Sequence, residues 1–168
     1  MDTKIEQVLV RIAQALNVSR ILWGVGGSLL LRQYGLTDTC RDIDLLVAVA
    51  DAQTADSILS AMGEKLPPQR SDMYATDYFC EYIIDGVSID LIAGLKIRTG
   101  KTVFEYVFNT ASVPHTFLFG DVPVPFSTLE EWHTLYQLMP GKTHKVQLIA
   151  AYFRRHGVEY PHLLRSPK

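Results

Sequence analysis

The chain has 168 residues, 48% of them hydrophobic and 20% charged, which suits one globular domain with a core of its own and no need of disulfide or metal staples. A net charge of −2 excludes a global basic field for nucleic acid or an anionic membrane, although a local basic pocket remains compatible with it. No apolar run approaches the ~20 residues of a membrane span. The two cysteines, Cys40 and Cys80, lack metal-ligand or framework spacing, so reduced thiols and a cytoplasmic setting are expected.

In chain order, Ile5, Val8, Leu9, Ile12 and Leu16 recur at helical spacing, predicting a helix over 3–16 with Asp2 or Thr3 as its cap. A short buried strand is expected at 21–23, then glycines, then a helix from Ser28 to Tyr34 that stops at Gly35. A strand over 42–49 follows, and a helix over 51–63 with Asp51 at its cap. Beyond Pro67-Pro68 the chain turns rich in β-formers. Strands are expected over 74–84 and 87–92, joined through Asp85-Gly86, a hairpin signal. Another strand pair is expected at 103–108 and 115–119, with Gly120-Asp121 turning into a strand over 122–126. Ser127 to Glu130 fits a capping box that starts a helix, a second helix is expected over 142–156, and the end from Tyr160 reads as an irregular tail. The fold class read from this order is α/β of the α+β type: a mixed, mostly antiparallel sheet flanked by helices, with a short C-terminal helical pair. Residues 1–126 are expected to form the main domain and residues 127–168 a helical extension packed on it.

The chemistry concentrates in GVGGSLLLRQYGLTDTCRDIDLLV, residues 24–47. Side chains at i and i+2 of a strand share a face, so Asp42 and Asp44 project together, about 7 Å apart along the strand. Two carboxylates on one face repel each other and lose solvation when buried. Magnesium, a hard cation held by carboxylates together with substrate phosphates, is the natural neutraliser, and solvent exposure with Arg41 alongside is the bland alternative. Upstream, Gly26-Gly27-Ser28 lies between a strand and a helix, where backbone N–H groups and a hydroxyl approach phosphate closely. Leu29 stands where a dinucleotide fingerprint has its third glycine, and there is no Gly-Lys-Ser/Thr for a P-loop. Asp90 interrupts an otherwise apolar strand, where Asp is disfavoured. Asp77, Glu81 and Asp85 are alternative third acids in less apolar surroundings.

Val25-Gly26-Gly27-Ser28, then Arg41-Asp42-Ile43-Asp44-Leu45, then Asp90 on a later strand resemble the nucleotidyltransferase superfamily related to DNA polymerase beta. The likeness covers about residues 20–95 and is that of a small, single-domain, uncharacterised member; Trp132 to Tyr136 and the following Lys142–Lys145 are similar to the helical end of such proteins. The resemblance implies that Asp42, Asp44 and Asp90 bind Mg2+ (Mn2+ as an alternative), with Asp90 taking the acceptor's proton. It implies that Gly26, Gly27 and Ser28 hold the phosphates of a nucleoside triphosphate, and Lys142 and Lys145 are further candidates for that role. The reaction implied is transfer of a nucleoside monophosphate to an acceptor (a small molecule, RNA or protein) with release of pyrophosphate. A partner protein or a second copy would complete the acceptor site. Two rival readings are a catalytically silent nucleotide-binding protein, such as one half of a toxin–antitoxin pair, and a glycosyltransferase whose Asp-x-Asp holds a nucleotide sugar. The five histidines show no ligand spacing, Arg32 is expected to face solvent, and Tyr74, Tyr78, Phe79 and Tyr82 are read as sheet packing before base stacking.

Overall fold

The computed structural model describes residues 3–165. The cap position at Asp2 and the last three residues of the tail lie outside the described residues. The chain begins with α1 (Thr3–Val18), β1 (Trp23–Gly26), α2 (Gly27–Gln33), β2 (Asp42–Val47) and, after a 3-10 turn, α3 (Ala52–Met62). Next come β3 (Glu64–Lys65), β4 (Tyr78–Ile84), β5 (Val87–Ala93), β6 (Lys96–Thr99) and β7 (Thr102–Glu105). The last elements are β8 (His115–Phe119), β9 (Val122–Phe126), α4 (Leu129–Leu138) and α5 (Thr143–His156).

Seven strands make one sheet in the order β3-β4-β5-β2-β1-β9-β8. Its pairings are antiparallel except β2 with β5 and β1 with β9, so the mixed, mostly antiparallel architecture read from the sequence is the one observed. Alternation along the strands divides the two faces. Ile43, Leu45, Ile89 and Leu91 are fully buried, and Asp42, Asp44 and Asp90 occupy the opposite face of the same two strands. Leu9, Ile12 and Leu16 of α1 and Leu59 of α3 are likewise fully buried against this core. Burying such side chains contributes roughly 2 kcal/mol each, which fixes the register that sets the carboxylates.

Several elements depart from expectation. The first strand starts at Trp23 rather than Ile21; the Leu22 N–H donates to Asp51 Oδ2 at 3.0 Å, so Asp51 ties down the chain before β1 instead of capping α3. Residues 74–77 precede β4 rather than belonging to it. Residues 73–75 run beside β6, through hydrogen bonds from Arg98 N–H to Met73 O (2.7 Å) and from Ala75 N–H to Lys96 O (2.9 Å). Residues 103–105 pair with β6 as a separate two-stranded ribbon, not with β8, because a two-residue turn at Gly100-Lys101 closes that hairpin first. The helical cap is shifted by one residue. Thr128 accepts the Glu131 N–H at 3.2 Å, and Ser127 Oγ instead donates to Val25 O and accepts from Trp132 Nε1, both at 2.8 Å. The tail holds a 3-10 turn at Pro161–Leu163. Arg32 does not face solvent: it is half-buried, with Nη2 3.3 Å from Glu6 Oε1. No helix among the described residues is long and apolar enough to cross a membrane.

Candidate active site

The parallel pairing of β2 with β5 sets Asp44 beside Asp90 and Asp42 beside Ser88, and the antiparallel pairing with β1 sets Gly26 opposite Asp44. Three side chains distant in sequence therefore converge. One carboxylate oxygen from each of Asp42, Asp44 and Asp90 lies within 4.8 Å of the others. Burial pushes the Asp44 carboxyl well up, reinforced by the charges of Asp42 and Asp90. Burial and the neighbouring Asp42 and Glu81 raise Asp90 to about 6. Three half-buried acids in mutual repulsion form a hard-oxygen donor set that a divalent cation fits. Of the other acids considered, Asp77 binds Lys96 Nζ at 2.7 Å and Asp85 pairs with Arg11 in the hairpin turn; Glu81, opposite Asp90 on β4, lines the same cleft.

The two glycines next to the carboxylates have separate reasons. Gly27 opens α2 with φ +62°, and a Cβ there would overlap the Asp44 carboxylate. A Cβ on Gly26 would overlap the Trp132 indole, which packs directly on the end of β1. Ser28, in the first turn of α2, accepts a hydrogen bond from Lys145 Nζ at 3.1 Å. Lys145 also stands over the Tyr136 ring, 5.1 Å from its centroid. Burial and the neighbouring Lys142 pull its ammonium pKa down, against the attraction of Asp44 and Asp42.

These groups border a cleft of about 480 Å3. Ser28, Asp42, Asp44, Asp90, Lys142 and Lys145 all line it, so the structure brings these candidates together, with Gly26 and Gly27 packed immediately beneath. Gln69, Arg70 and Ser71 line it as well, and sequence reasoning missed them. They follow Pro67-Pro68 in a segment without periodicity, where nothing marks a charge as facing inward. The aromatic group divides. Tyr74 and Phe79 line the cleft, while the Tyr78 and Tyr82 hydroxyls both donate to Asp56 on α3.

The fold is one shared with solved structures of nucleotidyltransferases. A Thermotoga maritima protein described as a nucleotidyltransferase superposes with a TM-score of 0.71 at 20% identity, over 93% of this chain and 96% of that one. The antibiotic-resistance factor ANT(2'')-Ia gives 0.63 at 17% identity, over 98% and 91%. The lincosamide antibiotic adenylyltransferase LnuA gives 0.56 at 13% identity, over 90% and 97%. No protein-family model and no curated protein sequence matches the chain.

Proposed function

We propose that this chain is a magnesium-dependent nucleotidyltransferase that moves a nucleoside monophosphate from a nucleoside triphosphate to an acceptor hydroxyl. The observation that carries the reading is the convergence of Asp42, Asp44 and Asp90 in one cleft with Ser28, Lys142 and Lys145. A triphosphate needs cations around it and an in-line path to its α-phosphorus, and this cleft offers both kinds of group.

Asp42, Asp44 and Asp90 hold Mg2+, or Mn2+ in its place; that ion, when bound, neutralises the triphosphate and acidifies the acceptor hydroxyl. Lys145 and Lys142, with the Ser28 hydroxyl and the backbone at Gly26-Gly27, bind the phosphates. The acceptor oxygen forms a bond to the α-phosphorus as the bond to the β-phosphate oxygen breaks. Asp90 receives the hydroxyl proton, and pyrophosphate leaves. Arg70, Tyr74, Phe79 and Glu81 border the cleft and are available to the acceptor or the base. Two of the fold neighbours are named for antibiotics, which favours a small-molecule acceptor over RNA or protein. A second copy or a partner protein completes the acceptor side. The setting is the cytoplasm.

Calorimetric titration with the α,β-methylene analogues of ATP, CTP, GTP and UTP tests the assignment. At least one should bind in a magnesium-dependent manner, and Asp42→Asn should weaken it by about ten-fold or more, as losing a charged ligand implies. Unchanged magnesium-dependent binding in Asp42→Asn would show the metal assignment to be wrong.

A further inference from the structure

The catalytic cleft has two unlike ends. The strand order β4-β5-β2-β1 puts three strand spacings, about 14 Å, between the Ser28 end, beside β1, and the β4 end. Lys145 belongs to the first end, where its Nζ donates to Ser28 Oγ. At the other end Phe79 pairs with Ile92 and Glu81 with Asp90, and all four line the cleft. Tyr78 and Tyr82, which alternate with Phe79 and Glu81 along β4, turn to the opposite face and bind Asp56.

Glu81 is the acid that the proposed chemistry leaves over. Of the acids lining the cleft, Asp42, Asp44 and Asp90 are the ones whose oxygens converge within 4.8 Å, and Glu81 stands outside that group. It is half-buried and borders the cleft, so its carboxylate is open to a ligand rather than sealed in the core. Among the described residues no ion pair engages it, from Lys142, Lys145, Arg70 or any other cation. Asp90 stands directly across from it, and like charges facing each other on neighbouring strands are destabilising.

The direction of the reaction decides what arrives there, and this step rests on nucleotidyl transfer as proposed above. An entering hydroxyl approaches the α-phosphorus in line with the departing pyrophosphate. With the phosphates on Ser28 and Lys145, the acceptor comes from the opposite side, over Asp90 and β4. The surface it meets there is partly apolar. Phe79 is 42% exposed, Ile92 lies across from it, and Tyr74 borders the same cleft. Aromatic surface left open inside a cleft suits an apolar group. An aromatic ring about 7 Å along the strand from an unpaired carboxylate suits an organic cation. One carboxylate outside the metal-binding set calls for one positive charge.

We propose that the β4 end of the cleft is the acceptor subsite, and that the acceptor is a singly charged amino alcohol, its ammonium group on Glu81 and its apolar part on Phe79. The hydroxyl of such a molecule faces Asp90, the next acid across the sheet. A neutral acceptor leaves Glu81 unpaired opposite Asp90, and a polycation finds no second carboxylate outside the triad among the residues lining the cleft.

The probe is 2-amino-1-phenylethanol, which carries an ammonium group, a hydroxyl and a ring. It is titrated at pH 7 into the 15N-labelled full chain with Mg2+, with and without the α,β-methylene nucleotide analogues, and followed by amide shifts. Saturable shifts are expected around residues 79–82 and 90–92, with the analogue still bound. 1-Phenylethanol, which lacks the amine, should bind about ten-fold more weakly, as should the probe to Glu81→Gln, because each change removes the charge-assisted bond. Phe79→Ala, expected to weaken the probe several-fold, serves if Glu81→Gln fails to fold. Equal affinity for the probe and 1-phenylethanol, wild-type affinity in a variant that folds, or displacement of the probe by the analogue would each overturn the proposal. Magnesium-dependent binding of the analogue with no saturable shifts from the probe would overturn it and leave nucleotidyl transfer standing. Glu81-dependent binding of the probe without binding of any analogue would support the amine subsite and contradict nucleotidyl transfer instead.

Discussion

At the scale of single residues, the central fact is that Asp44 is surrounded by like charge and by a glycine that has no room for a side chain. Burial pushes its carboxyl up, reinforced by the charges of Asp42 and Asp90, and Gly27 approaches too closely to accept a Cβ. Without metal such a cluster is a local instability retained for another purpose. Asp44→Asn should therefore stabilise the metal-free protein, by an amount on the order of 1 kcal/mol, with a higher melting temperature, and abolish any stabilisation by added magnesium. Scanning calorimetry with and without Mg2+ checks both halves; a variant less stable without metal would contradict the repulsion argument. The pairing of Asp42 with Asp44 was legible because strand alternation has a period of two, and Asp90 because a lone acid stood in an apolar strand. Arg70 was illegible, since a loop after two prolines has no period to show which side faces the cleft.

At the scale of elements, α4 is held to the end of β1 by Ser127 and Trp132. The serine hydroxyl donates to Val25 O and accepts from the indole N–H, and the indole covers Gly26. Trp132→Phe removes the N–H and part of the ring, and urea denaturation should show a loss of about 1–3 kcal/mol. Stability within a few tenths of wild type would mean that this bond does not anchor the helix. Here the sequence misled by one residue. Ser127 with Glu130 and Thr128 with Glu131 both satisfy the capping pattern, and only the hydrogen bond of Ser127 to β1 decides between them. Strand pairing beyond Gly94 was misread for a related reason. Residues 103–105 have two available partners, and the nearer one, across Gly100-Lys101, forms the ribbon.

At the scale of the whole molecule, buried acids in the helical end make stability depend on pH. Burial raises the Glu131 carboxyl to about 7 from an ordinary 4.5, against the nearby Tyr106 hydroxyl and hydrogen bonds from Thr128 and Ser112. The native state thus holds a proton that the unfolded chain has released. This contribution is fully present below about 4.5 and is lost as pH rises through about 7. Glu131→Gln should flatten that decline between pH 5 and 8, measured as urea midpoints across the range; an unchanged slope would contradict it. The sheet class and helical ends were visible from periodicity and turns, whereas the order β3-β4-β5-β2-β1-β9-β8 was not, because strand order is set by packing across the chain.

The proposed chemistry meets its most direct test in label transfer. The protein is incubated with ATP, CTP, GTP and UTP, each labelled at the α-phosphate, with magnesium and a cell extract. The predicted result is magnesium-dependent incorporation from at least one of the four into a non-nucleotide acceptor, with pyrophosphate released in equal amount and both lost in Asp44→Asn. No incorporation by folded protein, or incorporation that persists in Asp44→Asn, would contradict the account.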